Sequence, residues 1–130
     1  MSAPRVLIAD QLSPAAVAIF KERGVAADVK VGLAKEEQEK IIKDYDGLAV
    51  RSATKATEKI IAAATNLKVI GRAGIGVDNI DVKAATAKGL IVMNTPFGNS
   101  ITTAEHALSL MMALARQIPD ADRSTQAGKW

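Results

Sequence analysis

Five short apolar runs rich in valine and isoleucine alternate with longer segments of helical period, and this rhythm restricts the fold more than any other feature. The runs are VLIAD (6–10), ADVKV (27–31), GLAV (47–50), KVIG (68–71) and LIVMN (90–94). Four are almost continuously apolar, as strands buried on both faces of a parallel sheet must be. ADVKV alternates instead, which suits a strand near an edge. Four helix-forming segments lie between the runs. Ser13-Pro14 offers a cap and then a proline at the first helical position, and Gly24 stands where that helix must stop. Residues 35–44 carry acids first and lysines later, the order a helix dipole favours. Thr57 can cap EKIIAAAT, and Asp81 can cap VKAATAK before Gly89 ends it. Such alternation builds an α/β fold, here a flavodoxin-like open parallel sheet joined by crossover helices.

Past the fifth run the pattern changes. The loop TPFGNS (95–100) leads into ITTAEHALSLMMALARQ, with Ser100 as the expected cap and a second short helix expected after Pro119. Ile101, Ala104, Leu108, Met111 and Ala115 mark one face of the long helix, while Leu110, Met112 and Leu114 cover others. A helix apolar nearly all round must be buried on several sides. One sheet supplies one surface, so a second domain or subunit is expected to cover the rest. The chain ends at AGKW with its only tryptophan last, which reads as a fragment.

The remaining composition excludes several classes of function. The net charge is +3, and the basic residues (Lys35, Lys40, Lys43, Lys55, Lys59 among them) are interleaved with acids and lack aromatic neighbours. A solvated mixed-charge surface is expected, with no nucleic-acid partner. Cysteine is absent, which removes disulfides and thiolate metal sites, and the lone His106 cannot form a zinc cluster by itself. No run approaches the roughly 20 apolar residues of a membrane span. MSAPRVLIAD carries no secretion pattern, so a soluble cytoplasmic protein is the default expectation.

Chemistry concentrates around GRAGIGVDNID (71–81). Five of the nine glycines fall between residues 71 and 98. Gly74-Ile75-Gly76 begins like a dinucleotide fingerprint, but the third glycine position is occupied by Asn79. The acid expected about 20 residues on is also missing, with Asn94 in its place. A second reading gives Gly74 and Gly76 positive φ at a strand's carboxyl end, with successive N–H groups forming an anion nest. Arg51, Ser52 and Arg72 share that edge. Together with the amides they suit a small, doubly anionic molecule. A plain tight turn beside surface arginines accounts for the same residues, and the pattern alone leaves both open. Asp78 and Asn79 are expected to make turn and helix-start hydrogen bonds. Glu105 is expected to act as a first-turn charge, and His106 as a surface or interface residue.

Four segments carry a resemblance: VRSATKAT, VIGRAGIGVDNIDVKAATAKG, VMNTPFGNS and ALARQIPDA, in that order. The chain resembles the D-isomer-specific 2-hydroxyacid dehydrogenase family over essentially its whole length. The resemblance implies NAD-dependent oxidation of 3-phosphoglycerate to 3-phosphohydroxypyruvate, the opening step of serine synthesis, in an enzyme that forms homo-oligomers. It implies that residues 1–98 belong to a substrate-binding lobe. Residues 99–130 would then be a crossing helix and the start of a Rossmann domain lying further on. The amides of Gly74, Ile75 and Gly76 would grip the substrate carboxylate, with Arg51 and Ser52 in the cleft and Arg72 nearby. Ile75 and Thr103 would approach the cofactor, NAD, which the missing domain mainly binds. The family's catalytic arginine, glutamate and histidine and its true GxGxxG have no counterpart here, so the chain is expected to be inactive alone.

Three alternatives accompany this reading. Another D-2-hydroxyacid dehydrogenase, of the glycerate or glyoxylate type, would use the same scaffold. A receiver-like signalling module would share VLIAD, but it needs a phosphate-accepting aspartate where Arg51 stands and an acidic neighbour where Gln11 follows Asp10. A non-catalytic binding or dimerising module would make use of the apolar helix.

Overall fold

The computed structural model describes residues 3–129. Five strands, β1 (Arg5–Ile8), β2 (Ala26–Val29), β3 (Gly47–Val50), β4 (Val69–Arg72) and β5 (Ile91–Met93), form one sheet in the order β2-β1-β3-β4-β5. All four pairings are parallel. This is the flavodoxin-like order expected from the alternation of runs, and the order reverses between β1 and β3. Helices α1 (Pro14–Glu22), α2 (Lys35–Ile41), α3 (Glu58–Ala63) and α4 (Val82–Ala87) connect the strands. A 3-10 turn, Ile42–Asp44, prolongs α2 toward β3.

The local signals act largely as their chemistry requires. Ser13 Oγ accepts from the Ala15 N–H with Pro14 in the first turn, and Asp81 Oδ1 accepts from the Ala84 N–H. Glu36 and Glu37 sit in the first turn of α2 and Lys40 in its last. Thr57 takes the cap position of α3 without a side-chain hydrogen bond. Gly24 and Gly89 end α1 and α4 in the left-handed region, with φ of 71° and 74°.

The core lies where the central strands meet α2, α3 and α4. Leu7, Leu48, Val50, Ile70, Ile42, Ile60, Ile61 and Tyr45 are buried there. Each such side chain contributes roughly 1.5–3 kcal/mol by leaving water. ADVKV proves to be an edge strand, as its alternation implied. LIVMN departs from expectation. It forms the opposite edge, with Ile91 61% and Met93 54% exposed. A continuous apolar run cannot tell a strand covered on both faces from one whose second face lies bare among the described residues.

The chain divides into two compact units, Met1–Pro96 and Phe97–Trp130. The second holds α5 (Ser100–Ala115) and α6 (Ile118–Gln126). Asn99, not Ser100, takes the cap position of α5, and Gln117 with φ of 50° separates the two helices. Glu105 therefore falls in the second turn of α5, beyond the first-turn position expected for it. No residue of α5 is buried, and Ile101 and Leu114 are 76% and 81% exposed. Both Glu105 and His106 are exposed. Trp130 lies outside the described residues.

Candidate functional site

The carboxyl ends of β1, β3 and β4 lie side by side, and three polar side chains sew their loops together. Asp10 lies two residues past β1 and is buried. Its carboxylate accepts from the Arg51 N–H at 2.6 Å, from the Thr54 N–H at 3.0 Å and from the Thr54 hydroxyl at 2.5 Å. Burial alone would push its carboxyl pKa up. The hydrogen bonds from Thr54 and from the Arg51, Thr54 and Ala53 main chain outweigh that and hold it below the ordinary carboxylate value.

Asn79 joins the next pair of loops. Its Nδ2 donates to Arg51 O at 2.7 Å and to Thr54 O at 2.6 Å. A bridge between Ala56 and Ile80 continues the seam. Sequence reasoning gave Asn79 a local turn role; the structure gives it a link across 28 residues of chain. Asn94, closing β5, donates to Ile75 O at 2.7 Å and so holds the glycine turn from its other side. The cross-loop hydrogen bonds of Asp10, Thr54, Asn79 and Asn94 escaped the sequence, because their partners are distant in the chain.

The glycine turn differs from the nest expected of it. Neither Gly74 nor Gly76 has positive φ. The Gly74 N–H is already taken by Arg72 O at 2.9 Å. The amides of Ile75 and Gly76 have no protein acceptor among the described residues, and both residues are exposed. Two of the three expected donors, not all three, are therefore left free. The space beside these glycines is taken by neighbouring side chains. A Cβ on Gly74 would meet Arg72 Nη1 at 2.9 Å, and one on Gly76 would meet Asp78 Oδ1 at 2.8 Å.

Arg72 fills that space. Its Nε donates to Arg51 O at 3.1 Å and its Nη1 to Gly76 O, while Nη2 lies 3.7 Å from Asp78 Oδ1. Only 12% of its side chain is exposed. The guanidinium is thus spent on main-chain carbonyls and organises the turn, in contrast to the ligand-facing role expected of it. Arg51 is exposed, and its one side-chain hydrogen bond among the described residues is a long 3.4 Å contact to Gln11 O. Ser52 is exposed beside it. Thr103 lies in the second unit, in the first turn of α5, its N–H donating to Asn99 O at 2.9 Å.

This constellation can bind an anion, but it does not fit a dinucleotide pyrophosphate. The third fingerprint position must be glycine for close helix–strand packing, and here the Asn79 side chain occupies it and holds the neighbouring loop. The description "D-isomer specific 2-hydroxyacid dehydrogenase, catalytic domain" matches residues 6–127. The chain belongs to that family. It is 50% identical over 126 residues to the D-3-phosphoglycerate dehydrogenase of Archaeoglobus fulgidus, covering 97% of this chain and 24% of that protein. It is 53% identical to the enzyme of that name from Synechocystis, covering 97% of this chain and 23% of the relative. The chain therefore spans about a quarter of the length of these relatives.

Solved structures share the fold. A protein from Pyrococcus horikoshii superposes with a TM-score of 0.83 at 30% identity, over 98% of this chain and 38% of that one. The NAD+-bound 3-phosphoglycerate dehydrogenase of Entamoeba histolytica gives 0.75 at 32% identity, over 85% and 39%. A receiver module is displaced by this membership, and Asp10 is closed to phosphate chemistry by its donors. Among the described residues no helix is long and apolar enough to cross a membrane.

Proposed function

We propose that this chain is the substrate-binding portion of an NAD-dependent dehydrogenase that oxidises 3-phosphoglycerate to 3-phosphohydroxypyruvate. The observation that carries the reading is the pair of acceptor-free amides at Ile75 and Gly76 beside the exposed Arg51 guanidinium, whose one contact is the long bond to Gln11 O. Two N–H donors fixed by the surrounding main chain can each meet one oxygen of a carboxylate, and fixed donors cost no reorganisation on binding. Arg51 supplies a full positive charge in a planar fork suited to carboxylate or phosphate. Ser52 adds a hydroxyl that can donate or accept. Arg72 acts on the acid indirectly, by holding the turn's shape. The relatives' names, at about half identity, support the phosphorylated substrate over other 2-hydroxy acids.

NAD, bound mainly by residues outside this chain, supplies the hydride acceptor. Ile75, 42% exposed at the tip of the turn, and Thr103 in α5 are the chain's proposed contacts to its nicotinamide end. Residues 1–98 are assigned to the lobe and 99–130 to the crossing into the next domain. The complete enzyme is proposed to be a cytoplasmic homo-oligomer in which the exposed face of α5 is covered. Kinetics of an Arg51→Ala complete enzyme test the assignment. A large loss in kcat/KM with 3-phosphoglycerate supports it, and an unchanged value rules it out.

A further inference from the structure

The two free amides of the glycine turn belong to peptides whose carbonyls are both held from β5. Gly74 O accepts from the Thr95 N–H at 3.0 Å, and Ile75 O accepts from Asn94 Nδ2 at 2.7 Å. Gly71 stands beside Met93 in the parallel pairing, so Asn94 and Thr95 leave β5 where the turn leaves β4. Two consecutive residues of one neighbouring segment thus supply both donors.

A peptide unit is planar, and in its trans form the N–H points opposite to the C=O. No cis peptide occurs among the described residues. Fixing the Gly74 carbonyl therefore fixes the Ile75 N–H, and fixing the Ile75 carbonyl fixes the Gly76 N–H. Both carbonyls are taken from the β5 side, so both N–H groups are turned away from it. β3, whose loop carries Arg51 and Ser52, flanks β4 on the other side. A hydrogen bond at the carbonyl also polarises its peptide and strengthens the N–H as a donor.

The two bonds differ in what they demand of the sequence. The Thr95 bond is main chain to main chain and asks for no particular side chain. The Asn94 bond needs a side-chain donor, and only the amide nitrogen can face a carbonyl oxygen. An ionised aspartate would offer Ile75 O nothing but acceptors. Residue 94 is where a dinucleotide fingerprint wants an acid, so the turn's need for a donor excludes ribose binding at this position. Asn94 is exposed, and a single exposed bond contributes little to folding.

We infer that Asn94 is a positioning residue of the acid site: through Ile75 O it sets the direction of the Gly76 N–H. The inference rests on the carboxylate assignment made above and adds a requirement to it. A carboxylate is held by both amides only when they are presented to the same side. Asn94 governs the one whose carbonyl no main-chain donor secures.

The complete enzyme, labelled with ¹⁵N in glycine and isoleucine, is titrated with 3-phosphoglycerate while the Ile75 and Gly76 amide signals are followed. Both signals of the wild type are expected to move saturably. Asn94→Leu keeps the bulk and loses the donor, and Asn94→Ala removes both. Each is expected to displace the Gly76 signal of the free enzyme and to leave the thermal midpoint nearly unchanged. KM for 3-phosphoglycerate should rise about tenfold, with kcat within about threefold and KM for NAD within about twofold. A wild-type KM in both variants, with the wild-type amides responding to the acid, overturns the inference and leaves the carboxylate assignment standing. A raised KM with an undisturbed Gly76 signal also overturns it, since the effect then arises elsewhere. Wild-type amides that ignore saturating 3-phosphoglycerate remove the carboxylate assignment, and the inference with it.

Discussion

The side-chain amide of Asn79 donates to the main-chain oxygen of Arg51 at 2.7 Å, so the loop bearing the exposed cation is fixed to the loop bearing the free amides. A second bond from the same nitrogen, to Thr54 O at 2.6 Å, makes the attachment rigid. Catalytic scaffolds depend on such support, because a group displaced by about 1 Å can lose a hundredfold in rate.

Removing that link should therefore affect both stability and function. Asn79→Ala leaves Thr54 O without its donor and Arg51 O with Arg72 Nε alone, and a loss of about 1–3 kcal/mol is expected by urea denaturation. In the complete enzyme, kcat/KM should fall further than for a surface substitution of equal stability cost. Full stability with full activity in Asn79→Ala would show that the seam is held by other contacts.

Asp10 gives a pH dependence with a definite sign. Its folded pKa is depressed, so its contribution is fully present above the unfolded value, about 3.9, and is lost as pH falls through the folded one. The stability difference between the wild type and Asp10→Asn should be flat from pH 5 to pH 7 and should shrink below about pH 4. Chemical denaturation across that range reads it. A difference that grows on acidification would mean that burial, rather than its donors, governs this carboxyl group.

The two turn glycines should respond differently to a methyl group. At Gly74 the new Cβ meets Arg72, whose side chain is only 12% exposed and tied to two carbonyls. Gly74→Ala should cost about 1–3 kcal/mol. At Gly76 the close contact is Asp78 Oδ1 at 2.8 Å, with Arg72 Nη1 at an ordinary 3.4 Å, and the Asp78 side chain is 85% exposed and can swing into water. Gly76→Ala should stay within about 0.5 kcal/mol in stability. Equal thermal shifts for the two variants would contradict the assignment of the close contact to Arg72.

How far the sequence reached follows from what each signal encodes. Strand positions and sheet order were legible, because apolar runs, caps and crossover rules are local or nearly so. The edge character of ADVKV was visible in its alternation, whereas LIVMN concealed its bare face behind continuous apolarity. Glycines at 74 and 76 correctly marked a special turn, but their physical reason was read as positive φ. No local pattern announces that Arg72 will fold back over its own turn and need the space. The links made by Asp10 and Asn79 span up to 44 residues, beyond what spacing rules can express.

Large apolar residues of the second unit remain uncovered: Ile101, Leu108, Leu110, Met111, Met112 and Leu114 are all more than half exposed. A patch of this kind marks an interface. The chain alone should self-associate in sedimentation velocity, and Leu110→Lys with Leu114→Glu should reduce that association. A wild-type chain that stays monomeric at high concentration would exclude α5 as an interaction surface.

The most direct measurement is a crystal structure of the complete enzyme with its acid substrate and NAD. The expected result is a substrate carboxylate within about 3.2 Å of the Ile75 and Gly76 nitrogens, with Arg51 facing the same molecule. A cofactor pyrophosphate seated on those two amides, and the acid bound elsewhere, would contradict it.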